Sequence, residues 1–276
     1  MSVAANDLAR LLDQPEESIE LDRAAFLMAC GEYPQLDVEA QIARLDRLAA
    51  EAEPAVRSQP DPAGRVAALR QFLAGACGFR GNEADYYDPA NSFLHLVLDR
   101  RAGIPITLSV LYMEVGRRLG VSLLGVGLPG HFMVKYQDEQ GVFLLDPFHG
   151  GRSLTPRDCR EIVESIHDGR MPFEEQHLAA VDKKYIVLRM LKNLRGIYLE
   201  RGQHAKALGV LDMVLAVSPA SVEDLKQRGR LHCHLQNYAQ ARRDLESYLF
   251  LSPQAADADD VRQTLQGLNN VSAMLN

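Results

Sequence analysis

The stretch 101–120, RAGIPITLSVLYMEVGRRLG, decides the fold because a tight turn runs directly into a long helical pattern. Apolar residues recur at helical spacing from about Ile106 to Leu119. Two arginines lie in the last turn, where cations suit the helix dipole, and Gly120 is placed to end the helix. We therefore predict a mostly buried helix whose N-terminus lies at the Gly-Ile-Pro turn.

Three short apolar segments follow this helix with a different period, and we expect them to be strands. They are SLLGVGL (122–128), HFMVKYQ (131–137) and GVFLLDPF (141–148), separated by the turn sequences PG and DEQG. Connections this short cannot contain a parallel crossover, so the strands should be antiparallel. His131 begins the second strand and Asp146 ends the third, which predicts that the two side chains lie side by side.

The segments on either side are predicted to be helical. Residues 1–58 show helical periodicity and end at the break QPDPAG (59–64). The segment 92–103 predicts a short helix that ends at Gly103. After the strands, Thr155 is a suitable N-cap for a further helix.

The end of the chain contains an internal repeat. The segment 198–219 aligns with 232–253, which pairs Ala207 with Ala241 and Pro219 with Pro253, each 34 residues apart. This is the tetratricopeptide period, with a small residue where two helices cross and a proline after the second helix. The pattern predicts repeats at about 186–219 and 220–253 and a capping helix at 255–275.

Composition excludes several classes of protein. The net charge of −7 disfavours a nucleic-acid binder. No apolar run approaches the roughly 18 residues of a membrane span, and residues 1–22 lack the pattern of a signal peptide. The four cysteines form no CxxC motif, which predicts a cytoplasmic chain with reduced thiols and no metal or other cofactor.

A helix N-terminus, a histidine and an aspartate together are typical of a thiol-dependent catalytic site. The free N–H groups of the helix lower a thiol's pKa and stabilise an oxyanion. The histidine serves as base and the aspartate fixes its tautomer. Here His131 and Asp146 supply the last two groups, but residues 103–106 contain no cysteine.

Residues 1–180 resemble the SirB1 N-terminal family, a branch of the transglutaminase-like superfamily. The resemblance rests on GNEADYYDPANSFLHLVLDRRAGIPITLSVLYMEVGRRLG, GVGLPGHFMVKY and LLDPFHGG. It implies an α+β fold, a papain-like domain with a small antiparallel sheet and a helical N-terminal part at 1–58. An all-α tetratricopeptide array at 185–276 follows it. The superfamily's cysteine maps at or next to Pro105, its histidine to His131 and its aspartate to Asp146.

Three hypotheses for the His131–Asp146 pair remain open. The pair is a structural relic, or it activates another nucleophile, for which the candidates are Cys77, Thr107 and Ser109. In the third and weakest hypothesis, His131, Asp146 and His149 bind a metal.

We expect a degenerate domain that lacks the motif cysteine and acts with its repeats as a scaffold for a protein or peptide partner. The alternative is a papain-like cysteine-type hydrolase or acyltransferase that uses His131 and Asp146 with a nucleophile from elsewhere. The sequence predicts neither a nucleic-acid nor a membrane partner.

Overall fold

The computed structural model describes residues 2–139 and 141–275, with side chains described as far as residue 268. Its contacts divide the chain into two compact units. One unit is Gln14–Met190, and the other combines Met1–Asp13 with Leu191–Asn276.

The first helix does not pack with the domain in which the sequence pattern places it. The pattern assigns helix α1, Val3–Leu12, to the first domain with the rest of residues 1–58, but α1 packs against the helix His204–Val217 of the C-terminal unit. The apolar side of α1 is fully covered there, with Ala5 and Leu8 both 0% exposed. The division of the rest of the chain at 180–185 stays a prediction.

One helix forms the centre of the Gln14–Met190 unit. This is α6, Pro105–Arg118, and every residue from Pro105 to Gly116 is buried. Its neighbours cover all sides of it, which requires a helix that is apolar around most of its circumference. The other helices of the unit are α2 Leu21–Cys30, α3 Val38–Arg57, α4 Pro62–Arg70, α5 Leu94–Arg100, α7 Pro156–Ile166 and the start of α8 Lys183–Glu200.

A buried charge cluster ties α6 to α2. Asp22 and Glu114 are each 2% exposed. The Arg118 guanidinium lies 2.6 Å from the Asp22 carboxylate and 3.0 Å from that of Glu114. Two buried carboxylates therefore share one largely buried cation, whereas Arg117, which also contacts Glu114, is half exposed.

The three predicted strands form one antiparallel sheet together with a fourth, and the order is β3 (Leu123–Val126), β4 (Met133–Asp138), β5 (Gly141–Asp146) and β6 (Arg152–Leu154). The antiparallel arrangement is confirmed, with Val134 of β4 opposite Leu145 of β5. The sequence did not predict β6, because its three residues lie between two glycines and the N-cap of α7.

Helix α5 ends before the predicted position. Arg101, not Gly103, takes the left-handed conformation, with φ of 56°. The chain turns there because Ala102–Gly103 (β2) pairs in parallel with Arg80–Gly81 (β1). The predicted glycine cap at Gly103 is thus wrong, and this glycine instead leads into α6.

The C-terminal unit contains helices arranged as tetratricopeptide pairs. Ala207 and Ala241, the predicted crossing residues, are both 0% exposed. A Cβ atom added at Gly229 would lie 2.8 Å from the Leu245 side chain, so α10 and α11 approach closely at this point. The helices are α9 His204–Val217, α10 Val222–His234, α11 Tyr238–Leu251 and α12 Ala258–Leu275.

Candidate functional site

The N-terminus of α6 lies where the sequence places it, and it begins with a proline. Ile104 is the N-cap residue with extended backbone, and Pro105 is the first helical residue. Proline suits this position because its fixed φ matches the helix and its missing N–H would have no partner inside the helix. Pro105 offers neither a nucleophile nor an N–H donor for an oxyanion.

His131 is held in place through its backbone. Its N–H donates to the Leu128 carbonyl at 3.2 Å, and its own carbonyl accepts from Arg189 Nη2 at 2.7 Å. The same Arg189 nitrogen donates to the Leu128 carbonyl at 2.8 Å. Arg189 therefore fixes the turn that precedes β4 and sets the direction in which the imidazole points.

Asp146 is fully buried at the end of β5. Its Oδ1 accepts the backbone N–H groups of Phe148 at 3.1 Å and His149 at 3.4 Å. Its Oδ2 lies 2.7 Å from His149 Nδ1, so both carboxylate oxygens have partners in the turn Pro147–His149. The Asp-Pro-Phe-His sequence thus forms a turn that orients its own first residue.

The imidazole of His131 and the carboxylate of Asp146 are in contact, as the antiparallel pattern predicted. His131 Nε2 lies 3.1 Å from Asp146 Oδ2. The N–H direction does not satisfy hydrogen-bond geometry, and Nε2 has no aligned partner among the described residues. We therefore regard the contact as electrostatic. Burial raises the pKa of Asp146, but the imidazoles of His131 and His149 outweigh burial and hold that pKa below its usual range.

A hollow of about 610 Å³ opens beside His149. His149 is 45% exposed, whereas the His131 side chain is 7% exposed. Phe148 also borders the hollow and stands edge-on to His131, with ring centres 6.3 Å apart. The cluster is therefore reached from solvent along His149.

The two hydroxyl groups proposed as candidate nucleophiles are fully buried. Thr107 and Ser109 are both 0% exposed. Neither hydroxyl has a hydrogen-bond partner among the described residues.

Cys77 lines a different hollow, together with Arg44, Glu51 and Arg101. Burial raises the pKa of its thiol, with Glu51 adding to the effect and Arg101 opposing it. The structure thus brings His131, Asp146 and His149 together, and it places Cys77 beside arginines and a glutamate. Whether any nucleophile serves the pair stays a question for experiment.

Sequence reasoning did not find Arg189, because it lies 58 residues from the carbonyl that it binds and no local pattern links the two. The position of Phe148 beside the site could have been predicted from the sequence. It belongs to the same Asp-Pro-Phe-His turn that placed His149 near Asp146.

Comparison with known protein families gives two matches. The transglutaminase-like superfamily matches residues 39–192, and the tetratricopeptide repeat matches residues 194–266. Tetratricopeptide repeats are in general protein-binding modules. Among the described residues, no helix is long and apolar enough to cross a membrane.

Bacterial relatives span almost the whole chain. A UPF0162 protein of Xylella fastidiosa (strain 9a5c) is 36% identical over 96% of this chain and 94% of its own length. Protein SirB1 of Salmonella typhimurium is 21% identical over 88% of this chain and 90% of its own length.

A eukaryotic relative shares only part of the chain. Human F-box only protein 21 is 33% identical over 61% of this chain and 28% of its own length. No solved structure matches the chain. The family match, the extent of the bacterial relatives and the geometry around α6 agree: the chain belongs to the transglutaminase-like superfamily, as a SirB1-like protein with C-terminal tetratricopeptide repeats.

Proposed function

We propose that this chain is a non-catalytic transglutaminase-like protein that binds a protein or peptide partner. One observation carries the proposal. Helix α6 begins with Pro105, at or next to the position to which the superfamily's cysteine maps, while His131 and Asp146 are in contact at 3.1 Å. A base and its orienting carboxylate without a nucleophile cannot begin acyl transfer.

The chemistry of the thiols supports the same proposal. Burial raises the pKa of each of the four cysteines, and for Cys159 it raises the pKa to about 11. Reactive cysteines have lowered pKa values. Cys77 lies beside arginines, but its pKa is raised like those of the other three thiols, which supports a structural role for all four.

The competing hydrolase or acyltransferase would take its nucleophile from Cys77, Thr107 or Ser109. The two hydroxyls would have to become accessible from full burial, and the thiol would have to ionise against its raised pKa. Both changes cost free energy before any reaction, which favours the binding role.

The C-terminal unit offers a surface for a peptide. Phe250 is 85% exposed, which is unusual for a large aromatic residue, and it borders a hollow of about 630 Å³. Pro219, Leu225 and Leu251 contribute apolar surface to that hollow, and Glu246 also lines it. Apolar pockets with aromatic anchors are typical of the central part of protein interfaces. We therefore expect a peptide with an apolar side chain for the hollow and a basic residue beside it.

A random peptide-display library selected on the full chain tests the proposal. We expect selected peptides to share an apolar residue next to a lysine or arginine, and to bind with micromolar affinity in isothermal titration calorimetry. Phe250→Ala should weaken that binding at least about tenfold, as is common for a buried aromatic anchor.

Val142→Ala is the matched control, because Val142 is also exposed, at 54%, but lies on β5. Its peptide affinity should equal that of the wild type. If no peptide is selected, or if Phe250→Ala and Val142→Ala affect binding alike, this surface is not the binding site.

A further inference from the structure

We propose that His131, Asp146 and His149 form a binding site for one divalent transition-metal ion. One ligand atom from each residue lies within 4.8 Å of the other two. Two imidazole nitrogens and a carboxylate oxygen are a ligand set that suits zinc, iron, cobalt or nickel, whereas magnesium and calcium prefer oxygen ligands only.

The contact distances resemble those between neighbouring ligands on a metal. Metal–nitrogen and metal–oxygen distances of about 2.1 Å place adjacent ligand atoms about 3.0 Å apart at right angles and about 3.4 Å apart in a tetrahedron. Asp146 Oδ2 lies 3.1 Å from His131 Nε2, within this range, and 2.7 Å from His149 Nδ1, a hydrogen-bond distance that would lengthen on metal binding.

An independent observation comes from His131. Its side chain is 7% exposed, and its Nε2 has no aligned hydrogen-bond partner among the described residues. Buried polar atoms nearly always have a partner, and an exception calls for an explanation such as an ion. A metal at this point would satisfy Nε2 directly.

The surroundings of the three residues are those of a supported metal site. Two backbone N–H groups hold Asp146 Oδ1, which turns Oδ2 toward the histidines. Arg189 fixes the backbone of His131. Such outer partners orient ligands and raise metal affinity. The hollow beside His149 provides an entry path and leaves coordination positions open to water.

This inference is independent of the proposed binding function. A scaffold neither requires nor excludes the ion, and the peptide experiment concerns residues of the other unit.

The test uses the purified full chain after removal of metals with a chelator. Zinc binding is measured by isothermal titration calorimetry, and the absorption spectrum of added cobalt reports the ligand geometry. We expect one zinc ion per chain. His149→Ala should bind at least about tenfold more weakly, since loss of an outer-shell partner alone costs 10- to 100-fold.

His177→Ala is the matched control. His177, like His149, lies three residues after an acidic residue, here Glu174, and its Nδ1 accepts the backbone N–H of Glu174. It should bind zinc as the wild type does. His149→Gln serves as a second variant that preserves a side-chain donor toward Asp146 but removes the imidazole. If the wild type binds no zinc, or if both His149 variants bind it as tightly as His177→Ala, the proposed site is refuted.

Discussion

Replacing Thr107 by valine should stabilise the protein. The Thr107 hydroxyl is fully buried and has no partner among the described residues. Burying an unpartnered hydroxyl costs about 1–3 kcal/mol, and valine has nearly the same shape without the polar group. Because little packing is lost, we expect Thr107→Val to raise the free energy of unfolding by about 1–2 kcal/mol.

The assay is thermal unfolding followed by circular dichroism, with urea denaturation as a second measure. For a unit of this size, each kcal/mol corresponds to about 2–4 °C in Tm. Thr155→Val is the matched control, because the Thr155 hydroxyl caps α7 and is hydrogen-bonded to Asp158. Loss of such a cap should lower the free energy of unfolding by about 1 kcal/mol.

The two identical substitutions should therefore have opposite signs. If Thr107→Val destabilises the protein as much as Thr155→Val does, then the Thr107 hydroxyl has a partner in solution. That result would contradict the prediction that the Thr107 hydroxyl is buried without a partner.

Three further predictions concern charge and packing. Because the pKa of Asp146 lies below its usual range, its ionised form stabilises the fold above about pH 4, and this contribution is lost as the pH falls further. In urea titrations, the difference in unfolding free energy between wild type and Asp146→Asn should therefore be smaller at about pH 3 than at about pH 7. Arg118→Met should cost about 3–5 kcal/mol in the same titrations because Asp22 and Glu114 lose their most buried cation and keep only the half-exposed Arg117, whereas Arg117→Met should cost about 1 kcal/mol or less. Gly229→Ala should lower Tm through a loss of about 1–3 kcal/mol, since the added Cβ would lie 2.8 Å from Leu245, and an unchanged Tm would show that α10 and α11 pack less tightly than described.

The sequence was sufficient to predict the contact between His131 and Asp146. Short turns force antiparallel pairing and set the register of the two strands, so the beginning of one strand must meet the end of the next. The tetratricopeptide helices were also predicted from local sequence, because small residues and prolines recur at the period of this repeat.

Features that depend on contacts between residues far apart in the sequence could not be predicted. The helical pattern of α6 indicated a buried stripe, but α6 is buried on all sides, Thr107 and Ser109 included, because helices that precede it and strands that follow it in the sequence pack around it. The contact of Arg189 with the His131 carbonyl and the docking of α1 against α9 likewise join segments far apart in sequence.

The central claim is that no thiol in this protein is activated by His131. The most direct test is the rate of iodoacetamide alkylation of each cysteine, resolved by mass spectrometry across pH, in wild type and His131→Ala. We predict that all four cysteines react slowly near neutral pH, because burial raises their pKa values, and that their pH profiles are the same in both proteins. A cysteine, Cys77 above all, that reacts rapidly well below about pH 8 and loses this reactivity in His131→Ala would reveal a thiolate–imidazolium pair and contradict the account.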